Sequence, residues 1–196
     1  MNEQKTAEEK CALRRQLREK LRELTEAERT AADAAICRAV QELPAYRRAR
    51  TVFCFVGTRK EIRTVPLIEV MLRDGKRVAV PRCGAPGQMD ACEIRALSEL
   101  KPGQYGIPEP GENAEVLRPE EIELALLPCL AVRPDGLRLG QGGGYYDRFL
   151  AAFSGVSAVL CRSTFVREDI PVEPHDLRAD WIVSEAGARR CIRQRL

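Results

Sequence analysis

Apolar positions recur at helical spacing through the first 43 residues and gather into short continuous runs from residue 51 onward. Within 7–24, Leu13, Leu17, Leu21 and Leu24 fall near a helical period with Lys and Arg between them, which predicts an amphipathic helix. Thr25-Glu26-Ala27-Glu28 has the T-x-x-E form of a capping box and opens a second helix through about Leu43, where Pro44 helps stop it. The pattern then changes. "TVFCFVG" (51–57) is a β-branched and aromatic run closed by glycine, as in a buried strand. "TVPLIEVMLRDG" (64–75) reads as a helix, with Thr64 placed as cap, Pro66 in the first turn and Gly75 as stop. "RVAVP" (77–81), "IELALLPCLAV" (122–132), "VSAVLC" (156–161) and a short "DWIVSE" (180–185) read as further strands. No element is placed in 84–120, which is rich in Gly, Pro and Glu.

Strand, helix, strand, repeated later in the chain, predicts an α/β fold: a mostly parallel sheet flanked by helices, three layers in a single domain over 1–196. Ligands in such sheets bind beyond the carboxyl ends of the strands. Segments 57–64, 82–90, 133–144 and 162–176 are therefore expected along one edge.

Composition narrows the class. With 44% hydrophobic and 31% charged residues, 196 residues suffice for one well-buried soluble domain, expected as a monomer. The net charge of +3 leaves most charge balanced, which speaks against a dedicated nucleic-acid or membrane binder and suits an anionic small molecule. The basic tail "ARRCIRQRL" lacks the interleaved aromatics of a nucleic-acid surface. Eight cysteines form no C-x-x-C pair, and His175 is the single histidine, so a structural zinc is not expected. The first 24 residues are too charged for a secretory signal, and no apolar run is long enough to span a membrane. Reduced, mostly buried cysteines in a cytoplasmic protein are the expectation.

One stretch concentrates candidate chemistry. "RLGQGGGYYDRFL" (138–150) holds four glycines within five positions, after a strand and before a helix marked by Tyr146, Phe149, Leu150 and Phe153. Bare amides and a helix dipole at such a bend can bind phosphate, but the spacing fits neither a P-loop nor a dinucleotide fingerprint. By spacing alone, a phosphate loop and a tight turn before a helix are equally good readings. Asp147 sharpens the choice. Two unit charges about 4 Å apart near a protein surface repel by roughly 4 kcal/mol, against about 0.3–1 kcal/mol for an acid favouring a helix start. Either no phosphate binds here, or Mg²⁺ bridges Asp147 and the phosphates.

"RLGQGGGYYDRFL" resembles the signature R-L-G-x-G-x-G-Y-Y-D of the 5-formyltetrahydrofolate cyclo-ligase family. "KCALR", "RKEIRT", "YGIPEP" and "PVEPHD" resemble, in order and spacing, that family's K-x-x-L-R, E-I-x-T, Y-G-I-x-E-P and P-x-E-x-H-D segments. The resemblance implies an enzyme that cyclises 5-formyltetrahydrofolate to 5,10-methenyltetrahydrofolate with ATP and Mg²⁺, through phosphorylation of the formyl oxygen. It further implies that Lys10, Arg14, Arg138, Leu139, Gly140, Gln141, Gly142, Gly143, Gly144, Tyr145 and Tyr146 bind ATP. Val56, Glu61, Tyr105, Gln141, Gly142, Gly143, Gly144 and Tyr145 would bind the folate, and Asp147 and Asp176 the metal. Each has a plainer reading: Lys10 and Arg14 a solvated helix face, Glu61 a surface acid, Val56 core, Tyr105 a packed loop residue, Asp176 a turn acid. His175 is read as a structural neighbour, with no catalytic role.

The chain departs from the family pattern at Val132 and Arg133, where A-F-D is frequent, and at Phe165, near A-F-x-x-Q. Those departures leave open a non-catalytic nucleotide- and folate-binding protein of the same fold.

Overall fold

A computed structural model describes residues 3–58, 61–103, 106–174 and 176–192. The N-terminal helix α1 runs Glu3–Glu23 and α2 runs Glu26–Glu42, followed by the short α3, Pro44–Arg48. At the start of α2 the Thr25 side chain accepts from the Glu28 amide (3.2 Å), and the Glu28 carboxylate accepts from the Thr25 amide (2.7 Å). The predicted capping box is present. Replacing Thr25 with alanine is expected to cost about 1 kcal/mol in chemical denaturation, with the midpoint moving and the slope unchanged.

An eight-stranded sheet follows, built from β1 (Thr51–Cys54), β2 (Arg77–Cys83), β3 (Met89–Ile94), β6 (Val116–Leu117), β7 (Leu124–Leu127), β10 (Val156–Leu160), β11 (Trp181–Ser184) and β12 (Gly187–Arg190). Its order is β12-β11-β10-β7-β1-β2-β3-β6. The five central strands are parallel, and β12, β3 and β6 pair antiparallel at the edges. Two small ribbons lie outside it: β4 (Leu100–Pro102) with β5 (Pro108–Pro110), and β8 (Ala131–Val132) with β9 (Arg138–Leu139).

Strand alternation feeds two cores. Val52, Cys54, Leu124, Leu126, Ala158 and Leu160 pack on one face against α2 and α4 (Val65–Arg73). Phe53, Ala125, Leu127 and Val159 face the other way, against Leu13 and Leu17 of α1 and Phe149 of α5 (Tyr145–Ala152). Three layers result, as expected.

The chain moves from β1 to β2 through α4 on one face, and from β7 to β10 through α5 on the other. Strand order therefore reverses between β1 and β7, and the crevice of an open α/β sheet forms beyond their carboxyl ends.

Four expectations need correction. The run 122–132 is not one strand: Pro128, which has no amide to donate, ends β7, and Ala131–Val132 pairs with β9 instead. Region 84–120 holds four short strands. Thr64 occupies the cap position of α4 without a side-chain cap bond, because its Oγ1 donates to the Phe55 carbonyl (2.5 Å) and accepts from the Gly57 amide (2.9 Å). It pins the two ends of the loop after β1. Cysteines are less buried than expected: all eight are free, but Cys11 is exposed and Cys83, Cys129 and Cys191 are half-buried.

Among the described residues, no helix is long and apolar enough to cross a membrane.

Candidate active site

Two clefts meet at the crevice. The smaller, about 230 Å³, is lined by Lys10, Arg14, Glu61, Pro128, Cys129, Arg138, Leu139, Gly140, Gln141, Gly142, Gly143, Gly144, Tyr145, Tyr146, Asp147, Glu173 and Asp176. The larger, about 650 Å³, has mostly apolar walls, including Phe55, Val56, Pro81, Met89, Ile107 and Leu130. Glu61, Gln141, Gly143, Tyr145 and Tyr146 border both. Val56 borders only the larger cleft, and Gly142 and Gly144 only the smaller. Tyr105 and His175 lie outside the described residues, although Ile107 and Glu109 of the same "YGIPEP" segment line the larger cleft.

The glycine loop bends sharply into α5. Gly142 and Gly144 have φ of 100° and 68°, and Gly144 is the N-cap, so side chains at these positions would be strained by about 1–3 kcal/mol. Arg148 holds the bend from behind, donating to the carbonyls of Gly143 and Gly87 (both 3.1 Å). Gly144, Tyr145 and Tyr146, at the start of α5, line the smaller cleft.

Helix α1 contributes a row of cations at i, i+4 and i+8. Lys10 Nζ donates to Glu173 Oε2 (2.5 Å) and to Asp176 Oδ1 and Oδ2 (2.8 and 2.6 Å). Arg14 Nε donates to the Gly140 carbonyl (2.9 Å), and Arg18 to the Gln141 side-chain oxygen (2.8 Å from Nη2). Lys10 lies on the stripe of Leu13 and Leu17 that packs on the sheet, which is why it is 5% exposed. Arg18, Glu173 and Arg148 escaped the sequence reading. The continuing four-residue spacing of α1 could have pointed to Arg18.

Arg138, at 8% exposure, donates to Asp147 Oδ1 (2.8 Å) and to the Leu177 carbonyl (3.4 Å). In the smaller cleft, Lys10, Arg14 and Arg138 stand against Glu61, Asp147, Glu173 and Asp176, three cations to four carboxylates. Such a lining attracts a polyanion only together with a further cation. Among the described residues, no group of three or more His, Cys, Asp and Glu is arranged to hold a metal ion.

Between the clefts, Glu61 Oε2 accepts from the Thr58 amide (3.1 Å). Burial, then the nearby Glu61 carboxylate, pushes the Tyr146 phenol well above its ordinary pKa, so it stays a neutral donor. In the larger cleft, burial and then Glu109 push the Cys83 thiol up to about 11; burial and then Asp33 do the same for Cys37. At pH 8, roughly one such thiol in a thousand is ionised, so exposed Cys11 is expected to react with a disulfide reagent well before Cys83 or Cys37, as followed by peptide mass mapping. Unfolded thiols ionise from about pH 8.5, so these two should also make folding stability fall as pH rises toward 11.

The departures from the family pattern fall outside both clefts. Val132 and Phe165 are buried, and Arg133 pairs with Asp135 at 3.5 Å.

Comparison with known proteins identifies the family. Residues 6–185 match the profile of the 5-formyltetrahydrofolate cyclo-ligase family. A 5-formyltetrahydrofolate cyclo-ligase of Mus musculus is 28% identical over 189 residues, covering 90% of this chain and 93% of that one. The Mycolicibacterium smegmatis enzyme of that name is 33% identical over 146 residues, covering 69% and 73%. The solved 5,10-methenyltetrahydrofolate synthetase of Aquifex aeolicus superposes with a TM-score of 0.83 at 27% identity, covering 95% of each chain.

Proposed function

The chain belongs to the 5-formyltetrahydrofolate cyclo-ligase family, and from that premise we propose that it closes 5-formyltetrahydrofolate to 5,10-methenyltetrahydrofolate using ATP and Mg²⁺, releasing ADP and phosphate. The observation that carries the reading is the meeting of a polar and a larger apolar cleft at one glycine loop. A nucleotide triphosphate suits the first and a pterin with its aryl tail the second, so their reacting ends come together beside Glu61 and Tyr145.

The formyl oxygen attacks the γ-phosphate and ADP departs; N10 then attacks the activated carbon, gives up its proton, and inorganic phosphate leaves. Phosphorylation converts a poor leaving oxygen into a good one. The protein's share is positioning and charge stabilisation. Loop amides from Gly140 to Tyr145 cradle the phosphates, Lys10 and Arg14 approach them from α1, and Arg138 sets the orientation of Asp147. Glu61 accepts hydrogen bonds from the pterin's donor edge, and Val56 packs against its ring.

Asp147 and Asp176 border the same cleft and offer hard carboxylate oxygens. That set fits Mg²⁺, which takes one or two carboxylates together with substrate phosphates. When bound there it supplies the positive charge that the lining lacks.

The direct test is to mix the purified protein with 5-formyltetrahydrofolate, ATP and Mg²⁺ and follow the methenyl product's near-ultraviolet absorbance. Product that requires all three supports the reading, while nucleotide binding without turnover would overturn it in favour of a binding protein.

A further inference from the structure

Behind Glu61 lies a buried ion pair that takes no part in the chemistry described above. Asp33 of α2 is 4% exposed and Arg162, just past β10, is 6% exposed. They meet at 2.5 Å between Oδ1 and Nη2, although 129 residues separate them. Their other polar contacts converge on one short segment. Arg162 Nη2 donates to the Glu61 carbonyl (3.3 Å), while Asp33 Oδ2 accepts from the Arg63 amide (3.1 Å) and lies 3.5 Å from Arg63 Nε. The pair therefore grips the backbone on both sides of Ile62. A Cβ on Gly57 would come within 1.9 Å of the Ile62 carbonyl oxygen, so the two sides of the loop lie in close contact there.

A buried pair of this kind is a poor stabiliser. Taking two charges out of water costs several kcal/mol, and apolar residues of similar volume frequently serve stability as well or better. Among the described residues Arg162 Nε has no hydrogen-bond partner, which adds a further cost. What the pair does provide is geometry at the one carboxylate, among the described residues, that borders both clefts.

The geometry points to Asp33 and Arg162 as positioning residues that hold Glu61 at the height needed to receive the folate. This inference rests on the proposed reaction and deepens it, assigning to the fold's interior a part of folate selection. Because a displacement of about 1 Å at a reacting group can cost on the order of 100-fold, the effect should be large and confined to one substrate.

The test compares steady-state constants of Arg162→Met, Arg162→Lys and Asp33→Asn with the unchanged protein. Expected for Arg162→Met is a rise of about tenfold or more in KM for 5-formyltetrahydrofolate, with KM for ATP within about twofold. Arg162→Lys, whose ammonium still reaches both acceptors, should recover most of that loss. On a Glu61→Gln background, Arg162→Met should add almost nothing, since it acts through Glu61. Should Arg162→Met fail to fold, the contrast between Arg162→Lys and Asp33→Asn carries the same comparison. Folded variants with an unchanged folate KM, with both KM values rising together, or with effects additive to Glu61→Gln would overturn the inference alone. An unchanged protein that forms no methenyl product would overturn the reaction itself, and the inference with it.

Discussion

Asp147→Asn is expected to lower turnover by roughly 100- to 1,000-fold while barely moving thermal stability. The carboxylate sits in the first turn of α5, 41% exposed, with its only ion-pair partner, among the described residues, in Arg138 at 2.8 Å. In the folded protein that half-exposed contact is worth at most about 1 kcal/mol, and asparagine keeps an oxygen for Arg138 to reach. For a chain of this size the melting temperature should therefore fall by no more than about 4 °C. In turnover the balance reverses. Asparagine removes one of the four negative charges lining the smaller cleft, yet it also removes the hard oxygen that would hold the metal. If the acid served only to favour the start of a helix, activity and melting temperature would decline together by small amounts. Calorimetry and the methenyl absorbance assay on the same preparation separate the two outcomes.

Lys10→Met should act on both. Lys10, Glu173 and Asp176 are nearly out of solvent, with side-chain exposures of 6%, 16% and 13%. Methionine keeps the stem that packs beside Leu13 but leaves two carboxylates buried against each other. Breaking a buried pair from one side costs about 3–5 kcal/mol, which corresponds to a fall of roughly 6–20 °C in melting temperature. If Lys10 faces the phosphates as proposed, KM for ATP should rise as well. Adding Glu173→Gln and Asp176→Asn to the same variant should return much of the stability and none of the activity. Stability that stays low in the triple variant would locate the loss in packing.

These expectations draw on contacts that the sequence shows unevenly. The central strands were legible because a strand buried on both faces is written as an unbroken apolar run, as in Thr51–Cys54 and Val156–Leu160. Region 84–120 was not. Its strands span two to six residues, and some of their side chains point to water, as Val116 does at 47% exposure, so neither a run nor an alternation emerges. Pro128 shows the opposite failure: the apolar run continues past it while the ladder does not.

The site divides in the same way. Glycines and an acid adjacent in sequence announce a tight bend into a helix, and the order of short motifs announces a family. Nothing local in "EKCALRR" reveals that Lys10 reaches Glu173 and Asp176, or that Arg14 reaches Gly140, because those partners are 163, 166 and 126 residues away. Asp33 and Arg162 are hidden for the same reason. Each reads as an ordinary surface charge until the sheet brings α2 and the end of β10 together.

The row of cations on α1 has a consequence for biosynthesis. Leu13 and Leu17 can pack on the sheet as soon as β1 and β7 exist. The cations of α1 find their hydrogen-bond partners 123 to 166 residues further along the chain, and stay without them until Gly140, Gln141, Glu173 and Asp176 have been made. Loop closure over such a span is slow and entropically costly. A nascent chain halted anywhere before Asp176 would hold much of the sheet without the full set of partners of Lys10, so the proposed nucleotide affinity should appear only once that residue has been made.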